Sequence, residues 1–118
     1  MRKVLVVDDD HDILTVVEIV LNMHNFKVQV LSKPDEINNT IKSFFPDLIL
    51  LDVALGSVDG RDICKELKQS NETKHIPVLL FSAHYDLIND IHECFADGLI
   101  TKPFETLTLV DSINKAMA

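Results

Sequence analysis

Cysteine is scarce: only Cys64 and Cys94 are present, without a CxxC spacing, so neither a disulfide framework nor a zinc site is suggested. Both read as small apolar residues packed on helices. Long hydrophobic runs are missing as well. The longest are four or five residues, against the roughly 20 that a membrane span needs. Met1-Arg2-Lys3 is followed only by Val4 to Val7 before three aspartates, too short for a secretory signal. Basic residues are few, 11 against 19 acidic, for a net charge of −8, which argues against direct nucleic-acid binding. Glycine is limited to Gly56, Gly60 and Gly98, all placed between candidate elements. No repeat, low-complexity run or linker interrupts the chain. Its 118 residues suit one domain, expected to span 1–118 and to be soluble and cytoplasmic. A domain of this length buries about two-thirds of its unfolded surface, enough for a core without metal or disulfide staples.

What is present is a regular alternation. Val4 to Val7, Leu48 to Leu51 and Val78 to Phe81 are continuous apolar runs, expected as parallel strands covered on both faces. Phe26, Val28 and Val30 alternate with Lys27 and Gln29, as in a half-exposed edge strand. Leu99-Ile100-Thr101 is a weaker fifth strand. Helical stripes lie between: Ile13, Val16, Val17, Val20 and Leu21; then Ile37, Ile41 and Phe44; then Ile63 and Leu67. A fourth comprises Leu87, Ile88, Ile91, Cys94 and Phe95, and a fifth Leu107, Val110, Ile113 and Met117. The segment from Lys68 to Lys74 reads as an exposed polar loop. Five βα units with short connections predict an α/β fold with helices on both faces of one parallel sheet. The fifth helix runs to the last residue, so the sequence is read without an effector domain.

Ligands of open α/β sheets bind beyond the carboxyl ends of the strands. Asp8-Asp9-Asp10 follow the first strand, Asp52 the third, Ser82 the fourth and Lys102-Pro103 the fifth. Converging carboxylates repel unless a cation neutralises them, and hard oxygen ligands in a wet cleft suit Mg²⁺. A carboxylate nucleophile beside Mg²⁺, an ammonium and a hydroxyl is equipment for forming an aspartyl phosphate. Asp52 is the nucleophile candidate, as the single carboxylate on the central strand. The Asp8/Asp9 pair would hold the metal. Taken singly, each residue has a plainer reading: the aspartates and Ser82 as helix caps, Lys102 as a solvated charge. Five histidines (His11, His24, His75, His84, His92) lack metal-ligand spacing and read as surface residues, although His11 and His84 neighbour the acidic site in sequence.

The ordered set Val6-Val7-Asp8-Asp9-Asp10, Pro46 to Asp52, Asp59-Gly60, Ile76-Pro77-Val78, Phe81-Ser82-Ala83 and Ile100 to Phe104 resembles the receiver domain of two-component response regulators, of the chemotaxis-regulator type. The resemblance covers essentially the whole chain. It implies a flavodoxin-like (βα)5 fold with strand order 2-1-3-4-5. It also implies a phosphoryl group accepted on Asp52 from a phosphohistidine of a sensor histidine kinase or phosphotransfer protein. Asp9 and Asp52, with the Ala54 backbone carbonyl, would bind Mg²⁺ directly, and Asp8 mainly through water. Ser82 and Lys102 would contact the phosphoryl oxygens, and the Lys102-Pro103 bond is similar to one that is cis in the family. The signal would pass to a downstream protein or effector domain. Two positions depart from the pattern. Leu99 stands where the family carries the Tyr or Phe of its switch, and Gly56 where proline is common, which would loosen the loop after Asp52. Ala54 and His84 stand where the family tunes water access to the acyl phosphate. A pseudo-receiver that binds partners without phosphorylation is the alternative, favoured by Leu99. A phosphohydrolase is disfavoured by Ala54, where an acidic residue is usual. A flavin module is disfavoured by the lack of a phosphate loop after the first strand.

Overall fold

The computed structural model describes residues 1–83 and 90–118. Five strands form one parallel sheet: β1 (Lys3–Val7), β2 (Lys27–Leu31), β3 (Leu48–Asp52), β6 (Val78–Ser82) and β7 (Gly98–Thr101). Their order is β2-β1-β3-β6-β7, the expected 2-1-3-4-5 once a small hairpin is set aside. That hairpin, β4 (Ala54–Leu55) with β5 (Val58–Asp59), follows β3 and has no counterpart in the apolar pattern. Helices are α1 (His11–Met23), α2 (Ile37–Phe44), α3 (Gly60–Gln69), α4 (Asp90–Glu93) and α5 (Thr106–Met117).

The continuous apolar runs behave as expected of doubly covered strands. Alternate side chains of β1, β3 and β6 supply two cores. Val4, Val6, Leu48, Leu50, Leu79 and Phe81 pack with α1 and α5 on one face. Leu5, Val7, Ile49, Leu51, Val78 and Leu80 pack with α2 and α3 on the other. Burial of about 25 cal/mol per Å² of apolar surface on both faces accounts for runs without a polar residue.

Two helical stripes are rotated from the expected register. On α1 the buried residues are Leu14, Val17 and Leu21, whereas Val16 is 50% exposed. On α5 Leu109, Val110 and Ile113 are buried, and Leu107 is 68% exposed. Phe95 is also exposed, with φ of 64° just past α4. Leu87, Ile88, the Ile91 side chain and His84 lie outside the described residues. The polar stretch from Lys68 is not all loop. Lys68 and Gln69 complete α3, and Lys68 Nζ bonds Asp97 Oδ2 at 3.0 Å. Thr73 is buried, its hydroxyl donating to the Leu67 carbonyl at 2.7 Å. Cys64 and Cys94 are free and buried, with Cys64 Sγ 3.4 Å from the Cys94 carbonyl oxygen. Burial, with Cys94 alongside, pushes the Cys64 thiol well above its usual range, so it packs as an inert apolar group. Among the described residues no helix is long and apolar enough to cross a membrane.

Candidate functional site

The three aspartates after β1 divide their work. Asp10 is the N-cap of α1: its carboxylate accepts from the amides of Asp12 and Ile13 at 2.9 and 3.3 Å. The capping reading therefore holds for Asp10. Asp8 is instead buried, its Oδ1 taking the Asp10 amide at 2.9 Å. Asp9 is exposed and reaches across to the β4–β5 turn, where its Oδ2 accepts the Gly56 amide at 3.1 Å.

Asp52, 4% exposed, ends the central strand β3. One carboxylate oxygen from each of Asp8, Asp9 and Asp52 lies within 4.8 Å of the others. Lys102, just beyond β7, sets its Nζ 2.9 Å from Asp8 Oδ2 and 3.3 Å from Asp52 Oδ1. Its amide donates to the Ser82 carbonyl at 2.7 Å, and its ammonium lies 4.8 Å from the centroid of the Phe81 ring. Phe104 meets that ring edge-on, with centroids 5.2 Å apart. The Lys102-Pro103 bond is cis. Ser82 is buried at the end of β6, paired in register with Thr101. His11 is exposed at the start of α1 and is not among the clustered carboxylates.

Three carboxylates face one ammonium, so the site carries excess negative charge. Burial raises the Asp52 carboxyl to about 6, and the Asp8 carboxylate adds to the rise. Lys102 and a hydrogen bond from the Ala54 amide oppose it. An oxygen-rich, electron-dense cleft of this kind fits a small hard cation better than a transition metal.

The motif pattern marks two glycines without showing what each one serves. Gly60 opens α3 directly behind Asp52, where a Cβ would collide with the Asp52 carbonyl oxygen; its amide donates to the Val53 carbonyl at 2.8 Å. Gly56 has φ of 62° in the two-residue turn between Leu55 and Val58, so it serves a tight, hydrogen-bonded turn and not a loosened loop. The Asp59-Gly60 pair was the available signal for the first. Asp59 caps α3 through the Arg61 amide, and the Arg61 guanidinium, bonded to both its oxygens, lowers its carboxyl.

A doubly wound parallel sheet with an acid cluster and a lysine at the carboxyl edge defines a class of site for anionic, cation-assisted ligands. The family model for the response regulator receiver domain matches residues 4–114. The chain belongs to that family and is a two-component signalling domain. It is 36% identical over 114 residues to the nisin biosynthesis regulatory protein NisR of Lactococcus lactis subsp. lactis, covering 94% of this chain and 48% of NisR. It is 35% identical over 106 residues to the alkaline phosphatase synthesis transcriptional regulatory protein PhoP of Bacillus subtilis, covering 87% and 43%. The chain thus spans about half the length of these relatives. The chemotaxis protein CheY4 of Vibrio cholerae shares the fold with a TM-score of 0.90 at 24% identity, covering 98% of each chain.

Proposed function

We propose that residues 1–118 form one receiver domain that accepts a phosphoryl group on Asp52 and passes the signal by conformational change or phosphotransfer. The observation that carries this reading is the Asp52 carboxylate, buried at the end of the central strand between Asp8 and Lys102. The donor is a phosphohistidine of a sensor kinase or phosphotransfer protein, and the recipient is a downstream protein or effector domain. Asp8, Asp9, Asp52 and the Ala54 carbonyl would hold Mg²⁺, which supplies positive charge to the phosphoryl oxygens. Asp52 attacks phosphorus in line as the bond to the donor nitrogen breaks. Lys102 stabilises the charge on the transferred group, and Ser82 follows it as a hydrogen-bond donor. The domain assists its own phosphorylation and dephosphorylation in this way, without external turnover. Two free thiols suit a reducing cytoplasm.

Intact-mass measurement after incubation with acetyl phosphate and Mg²⁺ tests the proposal. One adduct is expected, lost with chelator and mapped to the peptide holding Asp52. An adduct on any other residue would sink the assignment.

Leu99 sits on β7 opposite Leu80 and packs, half-buried, against the α2–α3 core. This favours a switch that repacks an aliphatic side chain, or the phosphorylation-independent module as a second reading. Leu99→Tyr is expected to leave the rate of phosphoryl incorporation within about twofold while changing partner affinity by about tenfold. Equal partner binding with and without phosphate in the wild type would establish the second reading.

A further inference from the structure

The helices α2 and α3 lie on the same face of the sheet, yet their facing sides do not close over it. Pro34, Ile37, Ile41 and Phe45 line one wall at helical spacing, and Ile63, Glu66, Leu67 and Ser70 the other. Between them lies a trough of about 1050 Å³. Packed helices normally interdigitate ridges into grooves and leave no such space. The eight residues of α2 and ten of α3 are about 12 and 15 Å long, or roughly two to three helical turns.

The trough has an apolar floor and an acidic rim. Ile37, Ile41, Leu67 and Ile76, all apolar, are buried residues of its lining. Asp47, Glu66 and Glu72 line its margin with Lys42 and His75, and Lys3 stands beside Phe45 at one end. Among the described residues neither Glu66 nor Glu72 has a salt-bridge partner. Phe45 stands at the lip, 70% exposed, with φ of 54° as the α2 C-cap. Lys3 bonds the Phe44 carbonyl at 3.0 Å and lies 5.9 Å from the Phe45 ring, so a large aromatic is presented in a defined place and left open to solvent. Helix-in-groove recognition seats apolar side chains of an amphipathic helix in such a groove, and aromatic side chains that become buried there contribute strongly to binding.

We propose that the α2–α3 trough is a docking site for a basic amphipathic helix of about two turns. Its apolar side chains at i, i+4 and i+7 would enter the trough, and its Lys or Arg residues would meet Glu66, Glu72 and Asp47. A second copy of the chain is a poorer occupant, because a net charge of −8 opposes an acidic rim. The trough's Asp47 and Ile76 margin precedes β3 and β6, whereas Asp52 closes β3 at the other end, so the proposal does not rest on the phosphoacceptor reading.

The test is an NMR titration of the isotope-labelled chain with a synthetic leucine–lysine helix carrying leucines at i, i+4 and i+7. Controls are a scrambled peptide of the same composition and one with glutamate in place of lysine. Shifts are expected to concentrate in residues 34–45 and 63–76, and both controls to bind at least about tenfold more weakly. Phe45→Ala, at an exposed position, should weaken binding about tenfold, and so should Glu66→Lys with Glu72→Lys. Shifts spread over the acidic surface, or affinity unchanged by Phe45→Ala and by the lysine pair, would overturn the proposal. Concentration-dependent dimerisation lost with Phe45→Ala would overturn it in favour of a second copy.

Discussion

Asp52→Asn is expected to abolish phosphoryl incorporation and, in metal-free buffer at neutral pH, to stabilise the fold by about 2 kcal/mol. The two effects share one cause. Asp52 is buried beside Asp8, and its carboxyl is raised to about 6 in the native state from 3.8. The folded protein therefore holds the proton more tightly than the unfolded chain. This group favours folding below pH of about 4, loses that contribution as pH rises through about 6, and above it bears the cost of a buried charge. The shift, which already includes the attraction of Lys102, corresponds to about 3 kcal/mol, and solvent screening in the open cleft lowers the expected gain to about 2 kcal/mol. Asparagine keeps the shape and removes the charge, but it cannot act as the nucleophile. Urea unfolding with chelator at pH 7.5 should show the variant more stable, and the advantage should shrink toward pH 4. A variant less stable than wild type at pH 7.5 would contradict the electrostatics, whereas an unchanged mass adduct would contradict the chemistry. Saturating Mg²⁺ should narrow the gap by stabilising the wild type more.

Gly60→Ala is expected to cost at least about 3 kcal/mol of stability and to slow phosphorylation of the remaining folded protein by about tenfold or more. The added Cβ would strike the Asp52 carbonyl oxygen and lie 2.9 Å from its carbonyl carbon and 3.0 Å from Val53 Cα. All three obstacles are backbone, so no side-chain rotation relieves them. Relief requires α3 to move away from β3, which shifts the residue carrying the nucleophile. Gly56→Ala is the control: its Cβ would meet nothing within 4 Å, and only the positive φ of 62° opposes it, at about 1 kcal/mol. Chemical unfolding of both variants ranks them. If Gly56→Ala proves the more damaging, the close approach of α3 to β3 is not what the glycine serves.

The five strands and the carboxyl-edge position of Asp8, Asp9, Asp52, Ser82 and Lys102 were legible in the amino-acid order, whereas the 2-1-3-4-5 order was an implication of the family resemblance. Period-two burial and unbroken apolar runs are local properties, and handedness rules restrict how such units connect. Helix register was less legible. Leu14 and Val16 on α1, and Leu107 and Leu109 on α5, are all apolar, so the pattern marks two adjacent faces and not which one is covered. The separation of Asp10, a cap, from Asp8 and Asp9 also depended on tertiary structure, because capping and ligation use the same residue type. So did the close approach at Gly60 and the open trough between α2 and α3. Sequence by itself determined which residues must be buried or brought to the sheet edge, since those demands come from each segment's own chemistry. Only the tertiary structure decided which carboxylate meets Lys102 and which helix faces fail to close, because these depend on distances between segments remote in the chain.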